Sequence, residues 1–147
     1  MAIQSIISII INDLTNNKSN FTIYINFTPP VHRQNTLLGN MMKNLLRLDS
    51  SIFSSNGVSS QLSDELIQSL MHKYPELEVT HRDFSEDPVP HQDAQRIQAI
   101  MTPIDERSSE QQTLADYSDM LIKELQNADT IVIGLPMYNF SVSSVLK

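Results

Sequence analysis

Thr130-Ile131-Val132-Ile133-Gly134-Leu135-Pro136-Met137-Tyr138-Asn139-Phe140-Ser141 is the stretch on which the fold turns. Its first six residues are continuous, apolar and rich in β-branched side chains, the composition of a strand covered on both faces. Pro136 has no N–H to give to a ladder and is expected to end the strand. Met137 to Ser141 then reads as a loop, and Val142 to Lys147 as the opening turns of a helix. A strand of this kind belongs in a parallel sheet, where helices connect it to its neighbours.

Reading outward from Thr130 supplies those helices. Leu114, Tyr117, Leu121 and Leu125 keep helical spacing as far as Asn127, with Ser108 or Ser109 as N-cap and Gln111 or Gln112 as the capping-box partner. Ala94, Ile97, Ile100 and Met101 predict a shorter helix before Thr102-Pro103, and Asp83 to Gln92, with Pro88 and Pro90, is a loop. Leu77, Val79 and His81 alternate with Glu78, Thr80 and Arg82, the pattern of a strand exposed on one side. From Ser60 to His72, Leu62, Leu66, Ile67, Leu70 and Met71 share a helical face, with Asp64 and Glu65 in the first turn. Asn44 to Leu48 is a short apolar run, closed by Asp49-Ser50-Ser51, and predicts a buried parallel strand. From Met42 the order is β-α-β-α-α-β-loop-α, an α/β chain with a parallel sheet covered on both faces.

Residues 1–41 are written differently. They carry Lys18 and Arg33 against Asp13, whereas residues 42–147 carry 8 basic and 16 acidic side chains. The apolar run Ile6 to Ile11 has no Lys or Arg before it, so it does not read as a secretory signal, and it is too short to span a bilayer. Phe21 to Phe27 alternates and is β-prone, bounded by Pro29-Pro30, and predicts an isolated strand or hairpin with no evident partner. The expected organisation is an extension of unclear role over 1–41 and one domain over 42–147.

Composition narrows the function. The 147 residues include 10 Lys+Arg against 17 Asp+Glu, a net charge of −7, which disfavours nucleic acid as a partner. With no Cys there is neither a disulfide framework nor a thiol nucleophile, and a reducing compartment, the cytoplasm, is expected. Three glycines are too few for a complete dinucleotide fingerprint or a Walker loop. His72, His81 and His91 lack ligand spacing, so no metal is expected. His81-Arg82-Asp83 matches a kinase tripeptide, but Pro88 stands where an asparagine is needed.

Ligands of parallel sheets sit beyond the carboxyl ends of the strands. Two loops occupy that edge: Asp49 to Ser60, which offers hydroxyls and backbone N–H groups ahead of a helix, and Pro136 to Ser144, which offers Tyr138 and Phe140 as flat apolar surface. A phosphate site beside an aromatic one points to a mononucleotide bearing a ring. Taken alone, the serines also suit turns and caps, and the second loop also suits a packed turn.

In this setting Asp49-Ser50-Ser51-Ile52 with Gln61-Leu62-Ser63, Arg82-Asp83-Phe84 with Pro88-Val89-Pro90, and above all Pro136-Met137-Tyr138-Asn139-Phe140 with Leu146-Lys147 resemble the FMN-dependent NADH-azoreductases, also described as NADH:quinone oxidoreductases. The resemblance covers about residues 42 to 147. It implies a flavodoxin-like, doubly wound parallel sheet, here reaching only the third strand, in a homodimer that passes hydride from NADH through FMN to quinones and aromatic azo compounds. By position it implies that Ser51, Gly57, Val58 and Ser59 hold the FMN phosphate, and that Met137, Tyr138, Asn139 and Phe140 line the flavin ring. No catalytic side chain is then required, because the flavin carries the chemistry. Gly57-Val58 departs from the family's richer Ser/Gln phosphate loop, leaving more of the task to backbone N–H groups. A flavodoxin-type electron carrier is the weaker alternative, since Phe53 to Ser60 lacks a Thr-Gly-x-Thr pattern. A non-catalytic truncated product, with Met41 or Met42 as the original start, is the other.

Overall fold

A computed structural model describes residues 20–26, as backbone, and 42–146. The apolar run Ile6 to Ile11 and Lys147 lie outside the described residues. The elements are β1 (Asn20–Asn26), β2 (Asn44–Asp49), α1 (Val58–Lys73), β3 (Glu78–Asp83), α2 (Ala94–Met101), α3 (Ser109–Asn127), β4 (Thr130–Tyr138) and β5 (Ser141–Val142). They fall into two compact units, Val89–Asn127 and the described residues on either side of it.

In the larger unit, β2 is flanked by two parallel neighbours. It pairs with β3 from Asn44↔Glu78 to Asp49↔Asp83 and with β4 from Leu45↔Thr130 to Asp49↔Gly134. The far side of β4 is taken by β1, antiparallel, from Asn20↔Pro136 to Asn26↔Thr130. The order β1-β4-β2-β3 therefore corrects two expectations. The 20–26 strand has a partner, and its opposite direction makes the sheet mixed rather than wholly parallel.

Leu45, Ile67, Leu77 and Val132 form the buried core of this unit, with Met42, Leu66, Leu70 and Tyr74 packed around them. Leu45 and Leu46 are both buried, as continuous apolar strands require. β3 is the exception. As the last strand in the order it leaves Glu78 to His81 exposed on both faces rather than one.

α1 begins at Val58, two residues before the expected Ser60, so Asp64 and Glu65 lie beyond its first turn. Its apolar face is shifted too: Met71 is exposed, while Ser59, Ser60, Ser63 and Ile67 are buried. Small serines let the first half of the helix lie close to the sheet. A Cβ added to Gly134 in β4 would fall 3.0 Å from Ser63 Oγ, so glycine is needed at this crossing. His72 and Lys73 end the helix, where cations complement the partial negative charge of its terminus.

β4 does not stop at Pro136. Its ladder with β2 ends at Gly134, so on that side Pro136 has no bond to forfeit, and its fixed φ suits extended backbone. The strand runs to Tyr138 and turns into β5, with Met137 opposite Val142 and Tyr138 opposite Ser141. The expected loop is thus a hairpin, and the expected terminal helix is a single 3-10 turn, Ser144–Leu146.

The smaller unit is an α2–α3 pair in which Ala99 and Ala115 are buried. The side chain of Asp93 caps α2 by accepting the Arg96 N–H at 2.8 Å. The capping box of α3 forms on the first of the two expected registers: Ser108 Oγ accepts the Gln111 N–H, and Gln111 Oε1 accepts the Ser108 N–H. Among the described residues no helix is long and apolar enough to cross a membrane.

Candidate functional site

Asp49, Ser50 and Ser51 leave the carboxyl end of β2 fully buried. Ser50 is pinned to β4, its N–H and Oγ both donating to the Gly134 carbonyl at 3.2 and 3.1 Å. Ser51 Oγ accepts the Phe53 N–H at 3.2 Å, which turns the chain sharply and leaves Ile52 and Phe53 exposed. The turn brings Gly57 back against Ser51: a Cβ on Gly57 would lie 2.1 Å from Ser51 Oγ and 2.6 Å from its Cβ. The side chain is absent because the space is already filled.

Gly57 is also the N-cap of α1, and it supplies no side-chain cap. The first helical bond is the Gln61 N–H to the Gly57 carbonyl at 3.0 Å, so the N–H groups of Val58, Ser59 and Ser60 precede the ladder. Ser59 is fully buried and its hydroxyl has no hydrogen-bond partner; the same holds for Ser60. Leaving a buried hydroxyl unpaired costs about 1–3 kcal/mol. Thr130 Oγ1, at the opposite end of β4, is unpaired as well, so this feature alone marks nothing. What distinguishes Ser59 and Ser60 from Thr130 is their place among the donors of an uncapped helix N-terminus, an arrangement suited to an anion. Val58 is exposed and contributes backbone only.

The loop is held on its other side by the end of β3. Ser54, with φ +47°, donates to Asp83 Oδ2 and to Glu86 Oε1 at 2.9 Å, and Asp83 Oδ1 accepts both the N–H and the hydroxyl of Ser85. Burial pushes the Asp83 carboxyl up, but the bonds from Ser54 and Ser85, with the nearby His81, hold it below its ordinary value. Ser54 is held in the left-handed region by its N–H to the Ser51 carbonyl at 2.9 Å, by the Gly57 N–H on its own carbonyl at 3.1 Å, and by the two carboxylates that share its hydroxyl proton.

The second half of the site is the β4–β5 hairpin. Asn139 and Phe140 have φ +49° and +61°, the signs of a two-residue type I′ turn. The second position of that turn favours glycine, yet here it is Phe140, 98% exposed. Met137 and Tyr138 precede the turn, partly buried. Tyr138 Oη accepts the Ile52 N–H at 3.2 Å, joining the hairpin to the first loop. The structure therefore brings Ser51 and Gly57 into contact, sets Ser59 in the adjoining helical turn, and ties that loop to the hairpin carrying Met137 to Phe140.

A buried ionic cluster beneath the first loop went unread in the sequence. Arg47 Nε donates to Asp49 Oδ2 at 2.7 Å, its Nη2 to the Ser60 carbonyl at 3.0 Å, and its Nη1 to Asp64; His81 Nε2 lies 3.0 Å from Asp49 Oδ2. Burial opposes the Arg47 charge, but the bonds and negative charges of Asp64 and Asp49 outweigh it and raise its pKa. The available signal was an arginine in the middle of Leu45-Leu46-Arg47-Leu48, where only a paired charge can be buried. A hollow of about 520 Å³ lined by Lys43, Asn44, Pro75, Glu76, Leu77 and Glu78 lies at the other end of these strands and shares no residue with the site.

A family profile described as Flavodoxin-like fold matches residues 43–147. Among curated proteins, an FMN-dependent NADH:quinone oxidoreductase of Cellvibrio japonicus is 48% identical over 106 residues, 72% of this chain and 53% of the relative. Proteins of the same name from Alcanivorax borkumensis and a Marinomonas species are 45% and 41% identical, over 71% and 72% of this chain and 52% and 54% of their own lengths. The chain thus spans about half the length of the curated relatives it matches.

Proposed function

The chain belongs to the flavodoxin-like fold family, and from that premise we propose that it is the FMN-binding part of an FMN-dependent NADH:quinone oxidoreductase that also cleaves aromatic azo bonds. The observation that carries the reading is the uncapped N-terminus of α1, where the N–H groups of Val58, Ser59 and Ser60 join the buried, unpaired Ser59 hydroxyl. These residues fit a phosphate monoester, with Ser51 shaping the turn and Gly57 leaving it room. When bound, FMN would supply the redox chemistry, taking a hydride from NADH and passing it to a quinone or azo acceptor.

The protein's part is to hold and orient. Helix-terminal N–H groups balance the phosphate charge without a basic side chain. The exposed Phe140 ring and the neighbouring Met137 and Tyr138 give an apolar surface for a flat ring system, and the turn at Asn139 presents backbone amides beside it. The Ile52–Tyr138 bond fixes the distance between the two halves. No side-chain acid, base or nucleophile is assigned. A homodimer and a cytoplasmic location complete the proposal, with residues 1–41 as an extension that lends strand β1 to the flavin-binding part's sheet.

The test is to add FMN to the purified chain, record the bound-flavin spectrum, and follow NADH oxidation with a quinone and with an azo dye. Retained flavin with NADH-dependent reduction of both acceptors is expected. Failure to retain flavin would sink the proposal. Retention without NADH oxidation would mark a carrier or non-catalytic chain.

A further inference from the structure

The Arg47 cluster has no place in that function, yet it touches every element that builds the first loop. Arg47 and Asp49 sit two residues apart on one face of β2. The guanidinium is spent on three acceptors: Asp49 at the strand end, the Ser60 carbonyl in the first turn of α1, and Asp64 one turn further. Asp49 immediately precedes Ser50 and Ser51, while Ser60 immediately follows Ser59. One planar fork therefore spans both ends of the loop and fixes the helix N-terminus relative to the strand that feeds it. The remaining Asp49 oxygen, Oδ1, is buried without a partner, and it takes up the space a Cβ on Gly134 would need, 2.3 Å away.

We infer that Arg47 is a positioning residue for phosphate recognition. We assign it no contact with the phosphate, because each of its three nitrogens already bonds within the cluster, Nε to Asp49, Nη1 to Asp64 and Nη2 to the Ser60 carbonyl; it sets where the Val58 to Ser60 N–H groups stand relative to Ser51. This inference rests on the phosphate reading of the α1 N-terminus. It differs from a purely structural role in one measurable respect. A general loss of fold weakens FMN and riboflavin together, whereas a displaced phosphate cradle weakens FMN alone.

The experiment titrates the full chain with FMN and with riboflavin by flavin fluorescence, for wild type, Arg47→Lys and Asp64→Asn, with circular dichroism melts alongside. Arg47→Lys keeps the charge beside Asp49 but replaces the fork by one point charge. Wild type is expected to prefer FMN, and Arg47→Lys to lose about tenfold of that preference, roughly 1.4 kcal/mol, with riboflavin affinity unchanged within about twofold. Should Arg47→Lys fail to fold, Asp64→Asn, which frees one arm at a half-exposed position, carries the test with an expected loss of about threefold in the same ratio. A wild-type preference that survives intact in the folded variants overturns the role of Arg47 while leaving the phosphate site standing. A wild type with no preference for FMN overturns the phosphate reading and this inference with it.

Discussion

Gly57 and Asp83 show how much of the site depends on single side chains, one absent and one charged. Gly57→Ala would place a methyl 2.1 Å from Ser51 Oγ. It is expected to displace the Ser51 turn, to cost roughly 1–3 kcal/mol in chemical denaturation, and to weaken FMN more than riboflavin. At Asp83 the sign follows from the lowered pKa. The folded state binds its proton less readily than the unfolded chain, so the contribution is complete above the unfolded value of about 3.9 and is lost as pH falls through the folded value. Asp83→Asn is therefore expected to melt below wild type by a constant margin from pH 6 to 8, a margin that closes as the pH is taken below about 4. The serines were legible in the sequence as a hydroxyl-rich loop, but their burial was not. Ser59, Ser60 and Ser63 are buried on the inner face of α1, and Gly134, far along the chain, leaves room for Ser63. For Arg47 the apolar run around it signals a buried, paired charge, but nothing near it in the sequence marks Asp64 as the partner.

At the scale of elements, helices and strands with full periods were read to within two or three residues, and α2 came out at its expected limits. The hairpin was missed because its type I′ signal is normally Asn-Gly, whereas the chain has Asn139-Phe140. The partner of β1 was missed because an alternating strand carries no address, and its register with β4 is set by residues more than a hundred positions away. Two expected outcomes follow. Tyr138→Phe removes the acceptor for the Ile52 N–H; hydrogen exchange at Ile52 should quicken, with at most about 0.5–1.5 kcal/mol of stability lost. Replacing Thr22 and Ile23 together by proline removes two adjacent N–H groups of β1, one of which must face β4 because successive N–H groups alternate sides. Exchange along the β1 side of β4 should rise, while the Leu45 to Asp49 ladder stays protected.

For the molecule as a whole, the α/β order over residues 42–147 was legible because strand and helix periods alternate cleanly, and that order alone puts both candidate loops at one sheet edge. The mixed sheet was not, since β1 comes from the stretch whose composition least resembles the rest. A net charge of −7 means that an anionic cofactor receives no help from the overall field. In the proposed function its affinity comes from the local dipoles of α1 and the hydroxyls beside them. The phosphorus resonance of FMN reports on that place directly. On titration with the full chain the resonance is expected to shift and broaden to saturation at one flavin per chain, and with Gly57→Ala to reach saturation only at higher protein concentration. A phosphorus resonance that stays sharp and unmoved with the wild-type chain in excess would contradict the phosphate reading.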